Sequence, residues 1–233
     1  MNDFLSLHDA DQIEAGVIEA ARGPSFRDVV TGIVRHPART LCEVITHPST
    51  SHAVALSSAG GVYWAVNAAI AQGLGRSFGP GLLFAAVVVL GALGGIAYLY
   101  ALSILISWAC DVLGGEPTRA KVRSLLAVAG IPGVIALVAF GLPRIALFGH
   151  GLFMPDRPWL QASPLIVWGL WFGDAICFSW SLMLVVRGLK MMNGFSTPRA
   201  MMAAVLPAVP IVLIGLLFLG VAWTGVFFAP PAF

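Results

Sequence analysis

Charge is scarce in this sequence. Of 233 residues, 11 are acidic and 13 basic, leaving a net charge of +2 at pH 7. Charged residues make up 10% of the chain, against roughly a quarter in ordinary soluble domains, and 58% of it is hydrophobic. A water-soluble fold could not hide that much apolar surface, and the mean hydropathy of +0.89 is a membrane value. So small an excess of positive charge gives no footprint for a nucleic-acid partner. Cysteine is scarce too: Cys42, Cys110 and Cys177 form no C-x-x-C pair, which excludes a disulfide framework or a zinc site read from spacing. The acidic start MNDFLSLHDADQIEAG lacks the basic n-region and apolar core of a cleaved signal peptide, so Met1 is expected on the mature chain. The chain reads as having no serine-nucleophile elbow, no H-E-x-x-H and no glycine-rich loop ending in Lys. A non-enzymatic protein without cofactor or metal is expected.

What the sequence has in abundance is long apolar runs. About twenty such residues cross a hydrocarbon core as a helix. Five segments qualify, near 53–74, 80–108, 125–147, 162–186 and 200–228. Helices are the required form, because an open sheet edge cannot be satisfied in lipid. Pro132, Pro207 and Pro210 fall inside the third and fifth segments and predict kinks. The fold class is therefore all-α: a polytopic five-helix bundle over residues 53–233, preceded by a cytoplasmic segment over 1–52.

Ten basic residues lie on one side of these spans: Arg22, Arg27, Arg35 and Arg39 before the first, Arg119, Lys121 and Arg123 after the second, and Arg187, Lys190 and Arg199 after the fourth. Arg76, Arg144 and Arg157 fall on the other. Lys and Arg stay cytoplasmic, which predicts an inside N-terminus and an outside C-terminus. Trp159, Trp168, Trp171 and Trp223 fall toward the outer side, as an aromatic belt would.

In SFRDVVTGIVR, Phe26, Val29, Val30, Ile33 and Val34 form one apolar stripe, with Ser25 as N-cap. The segment is too short to span and is expected to lie in the membrane interface or to pack on the bundle. A second short helix is expected over 37–46, with Pro37 at its start. His36, His47 and His52 cluster here, but His36 and His47 each precede proline, which breaks a shared ligand face.

One acidic residue lies well inside a span. Asp174, in WFGDAICFSW, costs about 2.5–3.5 kcal/mol near the bilayer centre if charged. Such residues mark a transport path or a helix-to-helix hydrogen bond. Asn67, Gln72, Ser103 and Ser107 are its candidate partners. In the hairpin DVLGGEPTRAKV, Asp111 either caps the Gly114-Gly115 turn or accepts from Arg119 or Arg123. The small residues of SSAGG and LGALGG let helices approach closely.

The entries to the third and fifth spans read alike. LGGEPTRAKVRSLLAVAGIP and MNGFSTPRAMMAAVLPAVP each carry Gly, Thr and Pro, then Arg-Ala, then an apolar run with proline. Arg119-Ala120 would correspond to Arg199-Ala200, with Gly114-Gly115 before the one and Gly194 before the other, as in parallel internal repeats. These stretches, with VRHPARTLCEVITHP before the first span, resemble the bacterial branch of the Yip1 family over roughly residues 30–225. That resemblance implies an integral membrane protein, whose eukaryotic relatives work with small GTPases and with each other in Golgi and ER traffic. The chain departs from them in lacking a long polar cytosolic region, and Asp111 to Gly115 stand where the eukaryotic D-L-Y-G-P motif would be. Two functions follow as expectations: a membrane scaffold, with lipid, membrane-protein partners or a second copy of itself, or a small transporter, channel or lipid-moving protein built on Asp174.

Overall fold

The computed structural model describes residues 24–156 and 164–210, and every element among them is helical. The chain enters through α1, Phe26–Arg35, and α2, Pro37–Thr46. Ser25 starts α1 by accepting from the Asp28 N–H at 3.3 Å while its hydroxyl donates to the Asp28 carboxylate at 2.6 Å. This reciprocal cap satisfies a backbone donor that the first turn would leave orphaned. Pro37 opens α2 at a position where no N–H is needed.

The spans follow. α3 covers Thr50–Gln72 and ends on Gly73, whose φ of 64° only glycine adopts without strain. A short 3-10 turn, Leu74–Arg76, leads to α4, Pro80–Val112. At 1.5 Å per residue its 33 residues reach about 50 Å, well beyond a hydrocarbon core of roughly 30 Å. The third span is segmented: α5, Arg119–Ala129; α6, Ile131–Ala136; a π-helical turn, Leu137–Gly141; α7, Leu142–Phe148; and a 3-10 turn, Gly149–Phe153. α8 runs from Pro164 to Asn193 and α9 from Thr197 to Val205. Four helical stretches are long and apolar enough to cross a membrane: Thr50–Gln72, Pro80–Val112, Arg119–Phe153 and Val167–Asn193. The fifth expected span, 200–228, falls mostly outside the described residues, and α9 is its beginning. Pro132 does break its helix, at Gly130, and α9 stops just before Pro207.

α3 and α4 make the closest crossing. Gly61, Gly91 and Gly95 meet there, and a methyl at Gly61 or Gly95 would strike the Gly91 or Ser57 carbonyl. The SSAGG and LGALGG stretches thus exist to let two backbones touch. The third span is the most enclosed and touches α2, α3, α4 and α8, whereas the fourth is the least enclosed. One core cluster joins Val29, Ile33, Leu41 and Val44 of the short helices to Leu125, Ile106 and Leu184 of the spans. A second, at the opposite end, gathers Val66, Leu83, Val87, Leu152 and Phe153.

That first cluster divides the stripe of α1. Val29 and Ile33 are sealed against the bundle and Val30 is partly buried, while Phe26 and Val34 remain exposed. Helix position explains the split, since 29 and 33 lie one turn apart on one face and 26, 30 and 34 on the next.

Candidate functional site

The fourth span carries Asp174 about 15 Å along its axis from Pro164. Facing it is Arg144, which the basic-residue count had assigned to the outer side. Its Nη2 donates to the Asp174 Oδ2 at 2.5 Å, and the two side chains keep 10% and 22% of their surface exposed. The pairing replaces the partners expected from sequence. The Asn67 amide donates instead to the Tyr63 carbonyl of its own helix, Gln72 is exposed, and the Ser103 hydroxyl donates to the Tyr100 carbonyl. Ser107 is buried with its hydroxyl unpartnered. Each of these groups has a local solution or none, so Asp174 is left to a true counter-charge.

Backbone chemistry explains how Arg144 comes to point inward. Pro143 has no N–H to offer and its ring crowds the carbonyl four residues earlier. The chain absorbs this with the π-helical turn just before it, in which the Leu142 N–H reaches back five residues to Leu137. The extra residue rotates the following turn. On the other helix, Gly173 leaves room for the Phe140 ring of that π turn, because a methyl there would overlap the ring. A phenylalanine is thus seated on the glycine that immediately precedes Asp174.

Tyr63 of α3 completes the group, its hydroxyl lying beside the Asp174 carboxyl. Among the described residues the Asp174 Oδ1 is buried with no hydrogen-bond partner. Three spans thus converge on one carboxylate. An ion pair in a membrane interior cancels most of the cost of either charge alone and ties its helices together. The signal was present in the sequence: Arg144 is the only charged residue between 125 and 148, and Asp174 the only one between 164 and 186. Tyr63, Phe140 and Gly173 carried no such mark.

At the end of the bundle bearing the α4–α5 and α8–α9 hairpins, hereafter the basic end, the glycines acquire specific tasks. The Gly115 N–H bonds the Cys110 carbonyl at 2.8 Å and the Gly114 N–H bonds that of Asp111 at 3.0 Å. With Gly114 at φ 80° this is a Schellman termination of α4. Asp111 serves the turn through its carbonyl, while its side chain is exposed and makes no ion pair with Arg119 or Arg123. Gly115 is buried against Asn193 and Phe195 of the other hairpin, where any Cβ would collide. Gly194 is also left-handed, at φ 64°, and stands five residues before Arg199 as Gly114 stands before Arg119. The two hairpins share a backbone plan as well as residues.

His47 and His52 line one small cavity, and no group of three metal-ligating side chains forms among the described residues. His36 and His47 occupy helix ends, and the His52 ring packs edge-on against Phe26 at 5.6 Å. His150 bonds the Gly75 carbonyl at 3.0 Å, closing the Gly149–Phe153 turn over the opposite end. One string there, Gly75-Arg76-Ser77-Phe78-Gly79, does have G-x-S-x-G spacing, contrary to the sequence expectation. It lies in a 3-10 turn between two helices, not on the strained strand-to-helix turn that exposes a nucleophile.

Four long apolar helices joined by polar turns, with an ion pair in their midst, define a polytopic α-helical membrane protein. The family model for the Yip1 domain matches residues 31–219, nearly the whole described bundle. The chain belongs to the Yip1 family. No curated protein and no solved structure matches it.

Proposed function

We propose that this Yip1 protein is a non-enzymatic membrane scaffold of the bacterial inner membrane. In this reading the N-terminus and the basic end face the cytoplasm, and a fifth span completes the bundle over 200–228. The observation that supports it is the Arg144–Asp174 pair. A midplane carboxylate serving transport must be free to exchange its proton or cation, whereas this one is held by an arginine fixed on the neighbouring helix. Pairing converts the one costly residue of the fourth span into a clasp. With Arg144 inside the bundle, the charge bias behind the orientation sharpens to ten basic residues against Arg76 and Arg157. Phe26 and Val34, the part of the α1 stripe left uncovered, suit contact with lipid at the membrane interface.

Two measurements test this. Vesicles containing the purified protein should hold a proton or cation gradient as well as empty vesicles do. A leak abolished by Asp174→Asn would overturn the scaffold reading in favour of transport. For orientation, Cys42 is the one exposed thiol of the three. An impermeant maleimide should label it only after the membrane is opened; labelling of intact cells would reverse the topology.

A further inference from the structure

The two hairpins at the basic end carry six cations and two carboxylates. Arg119, Lys121 and Arg123 follow the first turn, Arg187 and Lys190 precede the second, and Arg199 follows it; the acids are Asp111 and Glu116. Among the described residues no carboxylate lies within ion-pair distance of any of the six. Lys190 donates to the Thr197 hydroxyl at 3.3 Å, and the Arg123 guanidinium sits 5.0 Å from the Tyr100 ring centroid. Arg119, Arg187, Lys190 and Arg199 are exposed. Topology alone requires only that such charges exist on one side. It does not require the hairpins to be interlocked through Gly115, Asn193 and Phe195, which brings the two sets of cations onto one surface.

We infer that this surface binds the phosphate headgroups of anionic phospholipids. Three observations converge. The cations lack acidic partners among the described residues, so their charge is left available to a ligand of opposite sign. Four of the six are arginine, whose planar fork matches phosphate oxygens better than an ammonium does. The surface is bordered by exposed apolar side chains of the same helices, Trp108, Val112, Met191, Met201 and Met202, so a ligand seated there has its other part in an apolar layer. An acyl chain supplies that part; an acidic soluble protein does not. The spacing also fits a role for the repeat. Arg119 and Arg199 each sit five residues beyond a left-handed glycine, giving two equivalent positions for two headgroups or for one headgroup with two phosphates.

The inference needs the chain to be membrane-embedded but not to be a scaffold. A gradient leak would sink the scaffold and leave lipid binding untouched. The test uses the full chain in nanodiscs of mixed phosphatidylcholine and phosphatidylglycerol, with retained lipids counted by native mass spectrometry. The wild-type protein should retain phosphatidylglycerol in excess. The exposed double change Arg119→Gln, Arg199→Gln should cut that excess about fivefold or more, the effect of losing at least one surface cation. Arg76→Gln, at the opposite end, should leave it unchanged. Equal retention of both lipids by the wild type overturns the inference, as does an excess that survives the double change or falls equally with Arg76→Gln. Loss of the excess on adding inorganic phosphate at constant ionic strength would assign the site to a soluble anion and overturn it too.

Discussion

Removing Asp174 alone should cost more than removing Asp174 and Arg144 together. In Asp174→Ala the Arg144 side chain, 90% enclosed, keeps its charge and loses its counter-charge. Breaking a buried pair from one side costs about 3–5 kcal/mol in soluble proteins. The cost here falls somewhat below that range, because Asp174 retains 22% of its side-chain surface and an unfolded chain in a bilayer finds other partners. We therefore expect about 2–3 kcal/mol for Asp174→Ala and a similar loss for Arg144→Met. The double change Asp174→Ala, Arg144→Met removes both charges and leaves apolar atoms in the arginine's space, so it should fall within about 1 kcal/mol of wild type. A double-mutant cycle then gives a coupling of at least about 2 kcal/mol, well above the scatter for independent sites. Steric-trap unfolding in bicelles reads each free energy directly. Single changes that cost under about 1 kcal/mol each and simply add would refute the clasp, and with it the main support for a static bundle.

Three further outcomes are expected. Gly95→Ala should weaken the bundle by several kcal/mol in the same assay, because its methyl meets the Ser57 carbonyl, whereas Gly94→Ala, with open space around it, should be neutral or stabilising by about 1 kcal/mol. Gly114→Ala should cost about 1–2 kcal/mol for holding alanine at φ 80°, seen as a lower thermal midpoint, and Gly79→Ala, at ordinary φ, should not. Gly173→Ala should push the Phe140 ring away and loosen the ion pair; Phe140→Leu added to it should restore part of the loss, measured by the same cycle.

Much of the architecture could be read from composition and pattern. The short helices were placed to within a residue, because Ser25 and Pro37 are start signals whose physics is local. The first four spans were found, yet their ends at the basic end were set too early: near 108 and 186 instead of Val112 and Asn193. Hydropathy marks where the hydrocarbon stops, but a helix continues until something caps it, here the glycines at 114 and 194. The third span likewise begins at Arg119, six residues before its apolar stretch. The site was half legible. Asp174 stood out as a charge in an apolar run, but Arg144 was counted with the outer-side charges because it lies close to the end of its expected span. Pro143 and the π turn rotate it inward, and that rotation depends on Phe140 finding Gly173 on another helix. Contacts of that kind leave no periodicity in a single sequence.

The ion pair joins residues 30 positions apart, so during synthesis the arginine appears well before the aspartate that answers it. At roughly 5–20 residues per second the wait is about 1.5–6 s. For that interval a lone third helix would carry an uncompensated arginine that works against partition into lipid, by up to about 2.5–3.5 kcal/mol for a charge at a helix centre and less toward its end. The third and fourth helices are therefore expected to enter the bilayer as a couple, the later one neutralising the earlier. Asp174→Asn should accordingly show its first defect in biogenesis, as a third helix left behind at the interface, before any fault appears in the finished fold.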